Sequence, residues 1–175
     1  MALTLKNVWI TGLLKTMILF LDFDGVLHPI PTDARGHFCH LPRLEEFLRK
    51  HEQVQVVVSS SWREAYPWEV IVEIFAADVQ SRIIDMTPIF QISNRYDEIQ
   101  GWRVANRYDG PWLALDDAVN EFPLPCGHLI ECETAVGLDD AVLARLTVAA
   151  EADHFVSIED AEESFQEVCD RGRLL

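Results

Sequence analysis

Residues 17–21, Met-Ile-Leu-Phe-Leu, form the most hydrophobic run of the chain, and they pass without a break into Asp22-Phe23-Asp24-Gly25. An apolar run of this length, bounded by a turn signal, reads as a strand buried on both faces, the kind that parallel sheets use. Acids are depleted from buried strands, so two carboxylates at the end of such a run need a reason. Residues two apart in an extended chain point to the same side, which puts Asp22 and Asp24 together. Gly25 then permits a turn or a close backbone approach.

The rest of the chain repeats the pattern. Val54–Val58 is a β-branched run ending in Ser59-Ser60-Ser61-Trp62-Arg63, Arg82–Met86 is a short third strand, residues 111–115 a fourth that ends in Asp116-Asp117, and 128–132 a fifth. Between them, Leu44, Phe47 and Leu48 fall at helical spacing, residues 67–77 open with proline and suit a helix, and Asn94 caps a helix over 95–106. A further helix covers 140–150, and Ser157-Ile-Glu-Asp160 resembles a capping box for a last amphipathic helix. The segment 28–42 is a Pro- and Gly-containing loop or small flap. Strands alternating with helices predict an α/β fold with a parallel sheet covered on both faces, in which ligands bind at the carboxyl ends of the strands.

Length and charge narrow the options. At 175 residues the chain is expected to be one domain over 1–175, with a core of about 17–150 and an acidic C-terminal helical segment over 151–175. The formal net charge is −15, which disfavours long duplex nucleic acid and anionic membranes as partners. The four cysteines have no metal-ligand spacing and read as free thiols of a reducing compartment, so a cytoplasmic location is expected. Residues 1–16 lack a cleavage site and are not read as an export signal, and no run reaches the ~18 apolar residues of a membrane span.

Three or four carboxylates are therefore expected to converge at one edge of the sheet. Two like charges ~4 Å apart repel by about 4 kcal/mol at an effective dielectric near 20, so such a cluster must take up a proton or a cation. Oxygen ligands with no His or Cys select a hard ion, and Mg²⁺ suits a site that leaves room for a phosphate. The hydroxyls of Ser59 to Ser61 and the guanidinium of Arg63 supply donors for phosphate oxygens. Taken singly, each feature is commonplace in turns and caps. Their shared placement directly after hydrophobic strands is not.

Asp22-Phe-Asp24-Gly-Val-Leu resembles the first motif of the haloacid dehalogenase superfamily of phosphotransferases. Ser59, or Ser60, resembles the second motif, and Leu115-Asp116-Asp117 the fourth. The Ser-Ser-Trp-Arg form of the second motif is similar to a capless subset, some members of which occur in multidomain RNA-repair proteins. The resemblance implies a Rossmann-like three-layer sandwich with sheet order 5-4-1-2-3 and a minimal cap or none. It also implies an aspartyl-phosphate mechanism, with Asp22 as nucleophile and Asp24 as general acid and base. Asp22, the main-chain carbonyl of Asp24, and Asp116, with or without Asp117, would hold Mg²⁺, and Ser59 would bind phosphate. The third-motif lysine has no counterpart, since Lys6, Lys15 and Lys50 all come too early. Arg95 is the expected substitute, with Arg63 able to share the task and Arg103 or Arg107 less suited.

A Mg²⁺-dependent phosphomonoester hydrolase is thus the expected function, acting on a phosphorylated small molecule or nucleic-acid end. A receiver domain also combines acids, a hydroxyl and a cation, but places its acid pair and phospho-acceptor in the reverse order. The alternative of another class is a non-catalytic interaction protein on the same fold.

Overall fold

The computed structural model describes residues 16–33 and 36–152. Five strands form one parallel sheet: β1 (Met17–Leu21), β2 (Val54–Val58), β3 (Ile83–Met86), β4 (Trp112–Asp116) and β5 (Leu129–Glu131). Their order is β3-β2-β1-β4-β5, the expected arrangement read from the opposite edge. The helices are α1 (Leu41–Lys50), α2 (Trp62–Ala65), α3 (Trp68–Glu73), α4 (Arg95–Ala105) and α5 (Asp140–Glu151).

Alternation along the strands divides the core in two. Leu19 and Leu21 of β1 pack with Val56, Val58, Leu113 and Leu115 against Leu44 and Leu48 of α1, Ile71 of α3, and Val142 and Leu146 of α5. Ile18 and Phe20 point the other way, with Val57, Trp112 and Ala114, onto Ile99 and Trp102 of α4. Phe20 meets Trp102 and Trp112 edge-on at 5.5 and 5.7 Å. Both faces of β1 are dry, so its sequence is apolar throughout instead of alternating, and each large side chain buried there contributes roughly 1.5–3 kcal/mol.

Two expectations change in detail. The helix expected over 67–77 ends at Glu73: the Ile74 and Phe75 N–H groups bond only three residues back, to Ile71 O and Val72 O, and the Ala76 N–H goes to Glu45 Oε1 of α1 at 2.7 Å. The third strand opens at Ile83, with Arg82 in a 3-10 turn. The capped start at Asn94 is as expected, and Asp139 caps α5 in the same way, each side chain accepting from the N–H three residues on. Among the described residues, the interval from β1 to β2 holds a loop and α1, and that from β2 to β3 holds α2, α3 and the 3-10 turn. Residues 1–15 and the helix expected after Ser157 lie outside the described residues. Among the described residues no helix is long and apolar enough to cross a membrane.

Candidate active site

Register builds the site. Phe20 pairs with Val57 of β2 and Ala114 of β4, and all three face α4. Two residues further on, the same register and parity bring Ser59, Asp22 and Asp116 into one row on that side. The Asp22 N–H donates to Leu115 O at 3.0 Å and the Ser59 N–H to Leu21 O at 2.9 Å, so the pairing carries past the strand ends. Helix α4 begins beside this row with Arg95. Asn94 caps the helix, and Glu121 Oε2 accepts the Arg95 N–H at 3.1 Å, which fixes where the arginine starts.

Arg95 Nη1 lies 3.2 Å from Asp22 Oδ1 and 3.0 Å from Asp116 Oδ2. Of the arginines weighed for the place of the missing lysine, Arg95 is the one that meets both of these carboxylates. Phe23 N–H donates to Asp22 Oδ1 at 2.8 Å and Ala118 N–H to Asp116 Oδ1 at 2.9 Å, so main chain orients both carboxylates. Burial, and next the Asp22 charge, push Asp116 up to about 7, against the opposing attraction of Arg95. For Arg95 burial is the largest influence and pulls downward, yet Asp22 and Asp116 together leave it raised.

Asp117 completes the cluster. One oxygen each from Asp22, Asp116 and Asp117 lie within 4.8 Å of one another. Gly25, at φ +69°, lets the first loop approach Asp117 so closely that a Cβ there would sit 2.1 Å from its Oδ2. One arginine against three acids leaves an excess of negative charge, and a carboxylate-only donor set fits Mg²⁺.

Asp24 stands apart from that cluster. Its Oδ1 is 3.0 Å from His28 Nε2 and its Oδ2 accepts from Trp62 Nε1 at 3.0 Å. The Asp24 side chain therefore joins the first loop to the start of α2, and it is not among the three carboxylates that gather as a candidate metal site.

The two serines separate. Ser59 Oγ is buried without a hydrogen-bond partner, which suits a hydroxyl held for a ligand. Ser60 Oγ instead accepts the Trp62 N–H at 3.4 Å, as part of the turn into α2. Arg63 departs from its expected phosphate contact. Its Nη1 donates to Ser59 O and Ser60 O, both at 2.6 Å, its Nε to Thr87 O at 3.2 Å, and its Nη2 pairs with the buried Glu98. The guanidinium holds the loop from beneath and has no fork left for phosphate.

Sequence reasoning missed His28, Trp62, Glu98 and Glu121. His28 lies four residues after Asp24, a spacing that could have drawn notice; Trp62 stands in the sequence only as one member of the Ser-Ser-Trp-Arg motif. A groove between α1 and α5, lined by Arg43, Phe47, His51, Asp140, Leu143 and Thr147, shares no residue with the carboxylate cluster.

A family model described as the HAD domain in Swiss Army Knife RNA repair proteins matches residues 18–143. No curated protein and no solved structure matches the chain. The matched span runs from β1 into α5 and takes in the Ser59–Asp22–Asp116 row, Arg95 and Asp117. The chain belongs to the family of HAD domains found in Swiss Army Knife RNA repair proteins, a hydrolase fold with its carboxylates gathered at the strand ends.

Proposed function

We propose that this chain hydrolyses phosphate monoesters with Mg²⁺ through an aspartyl-phosphate on Asp22. The observation that carries the reading is the row of Ser59, Asp22 and Asp116 across three adjacent strands, with Arg95 at one end of a helix set against it. Three strand ends and the first residue of α4 bring Ser59, Asp22, Asp116 and Arg95 together, and this supports reading them as hydroxyl donor, nucleophile, metal carboxylate and cation.

In the first step an Asp22 oxygen attacks phosphorus and the bond from phosphorus to the leaving oxygen breaks, while Asp24 gives that oxygen a proton. In the second, water attacks the same phosphorus and gives a proton to the Asp24 carboxylate, the bond from phosphorus to the Asp22 oxygen breaks, and inorganic phosphate leaves with Asp22 and protonated Asp24 regenerated. Ser59 Oγ and Arg95 bind phosphoryl oxygens, and donors fixed before reaction need little reorganisation as charge develops. Mg²⁺, held by Asp22, Asp116 and Asp117, would neutralise charge on the transferring group. The unmatched lysine of related phosphotransferases is replaced by Arg95, whose planar fork suits a phosphoryl group.

Domains of this family occur in RNA repair proteins, so end-phosphorylated oligonucleotides belong beside nucleotides and sugar phosphates in the substrate panel. The test is phosphate release from an aryl phosphate by purified protein with Mg²⁺. Asp22→Asn is expected to abolish it, and equal release by that variant refutes the reading.

A further inference from the structure

Asp24 is held more closely than a surface acid requires. Trp62 Nε1 donates to one of its oxygens and His28 Nε2 meets the other, each at 3.0 Å. An indole nitrogen can only donate. The Phe38 N–H faces His28 Nδ1 at 3.5 Å, which makes Nδ1 the acceptor and leaves the ring proton on Nε2, directed at Asp24. Both carboxylate oxygens therefore receive a donor, one on each side.

The donors are themselves fixed. His28 is 1% exposed, and its ring packs on Phe38 at 5.4 Å. Trp62 stacks on Tyr66 at 5.1 Å and meets Phe38 and Phe23 edge-on at 5.0 and 6.0 Å. Asp24 keeps 37% of its side chain exposed between them. A carboxylate has about four lone-pair sites, so two donors leave a free site on each oxygen.

We propose that Trp62 and His28 are positioning residues that clamp the Asp24 carboxyl in one orientation, so that its free lone pairs face the leaving group. The proposal rests on the phosphatase reading and deepens it. The clamp also ties two parts of the site together. Trp62 follows Ser59 by three residues, so the loop that offers the phosphate-binding hydroxyl also sets the angle of the proton donor. An unclamped carboxyl would rotate about its last bond and present its proton in the right place only part of the time, and proton transfer depends on that geometry.

A clamp on the acid has a signature that a merely structural contact lacks. Leaving groups that depart readily as anions need little protonation, whereas alkoxides need it strongly. The experiment compares kcat/KM for para-nitrophenyl phosphate with kcat/KM for an alkyl phosphate in wild type, Trp62→Phe, His28→Leu, His28→Gln and Asp24→Asn. The ratio of the two constants does not depend on how much of a variant is folded. Removal of a general acid typically costs about 10²–10⁴-fold, so Asp24→Asn sets the limit. Trp62→Phe and His28→Leu are expected to lose at least about tenfold more on the alkyl ester than on the aryl ester, as a fraction of that limit. His28→Gln, which keeps a donor at the same reach, is expected to restore most of the ratio. Equal losses on both esters, or no loss, overturn the clamp while Asp22-dependent release by wild type leaves the phosphatase reading in place. No release by wild type from either ester overturns both.

Discussion

Arg95 Nη1 stands 3.0 Å from Asp116 Oδ2, so the fixed cation of the carboxylate cluster enters from the first residue of α4. A lysine in that place would be a point charge on a flexible stem; arginine brings a planar fork that can hold two oxygens at once. Arg95→Met is expected to lower kcat/KM by at least about 10²-fold, the loss that follows removal of one preorganised donor to transition-state charge. Arg95→Lys keeps the charge without the fork and should fall between the two. Phosphate release with saturating Mg²⁺ measures both, and an unchanged Arg95→Met removes this residue from catalysis.

The same cluster predicts how metal binding responds to pH. Asp116 sits near 7, far above the roughly 4 of an unfolded aspartate, because burial and the Asp22 charge disfavour its ionised form. Between those two values the folded protein without metal holds a proton that the unfolded chain has released. Stability of the metal-free form should therefore fall as pH rises through that window. Binding of Mg²⁺ requires the carboxylate, so its affinity is expected to rise as pH climbs through about 7, with release of a proton. Calorimetric titration in two buffers of different ionisation enthalpy reads that proton directly. Asp116→Asn is expected to abolish it together with most of the affinity.

Much of this arrangement was legible in the sequence because its strands are buried on both faces. The run 17–21 and the acids after it pointed to β1, the alternation of strands and helices pointed to a parallel sheet, and the sheet order was what the family resemblance implied. Capped helix starts were legible for the same kind of local reason: Asn94 and Asp139 each satisfy an N–H in their own first turn. Long-range partners were not. Nothing around residue 63 announces that Glu98, thirty-five positions on, takes its guanidinium, or that three carbonyls converge on it. An arginine behind a serine-rich turn looks like a phosphate ligand until the space beneath the loop is known. Ser59 and Ser60 are likewise alike in sequence and differ only by strand parity, which turns one toward α4 and the other into the start of α2. The contact of Glu45 with the Ala76 N–H beyond the end of α3 was hidden too, since its partner lies thirty-one positions away.

Gly25 sets a condition on the proposed metal site through the backbone. Its φ of +69° is strained for any residue with a Cβ, and that Cβ would overlap the Asp117 carboxylate. Gly25→Ala should cost more than the usual ~1 kcal/mol of a misplaced alanine and displace Asp117. The expected result is weaker Mg²⁺ binding at a temperature where the fold is intact, read by calorimetry after circular dichroism has confirmed folding. Wild-type affinity in the folded variant would mean that Asp117 contributes little.

Arg63 and Glu98 test whether the loop after β2 is held by charge or by packing. Their side chains are 2% and 11% exposed, and the guanidinium also serves carbonyls of Ser59, Ser60 and Thr87. Burial pulls Arg63 below its usual value, and Glu98 opposes that shift. Removing one member of such a pair leaves the other charge buried and uncompensated, at a typical cost of about 3–5 kcal/mol. Arg63→Met is therefore expected to lower the midpoint of urea unfolding by that amount times the inverse of the slope, with the slope itself unchanged. The double variant Arg63→Met/Glu98→Leu removes the orphaned charge and should recover part of the loss, though three carbonyls remain without their donor. If Arg63 instead bound substrate, Arg63→Met would fold with wild-type stability and lose turnover through KM. Denaturant unfolding and KM measured on the same preparation separate a loop support from a phosphate ligand, because only the former moves the unfolding midpoint in the absence of substrate.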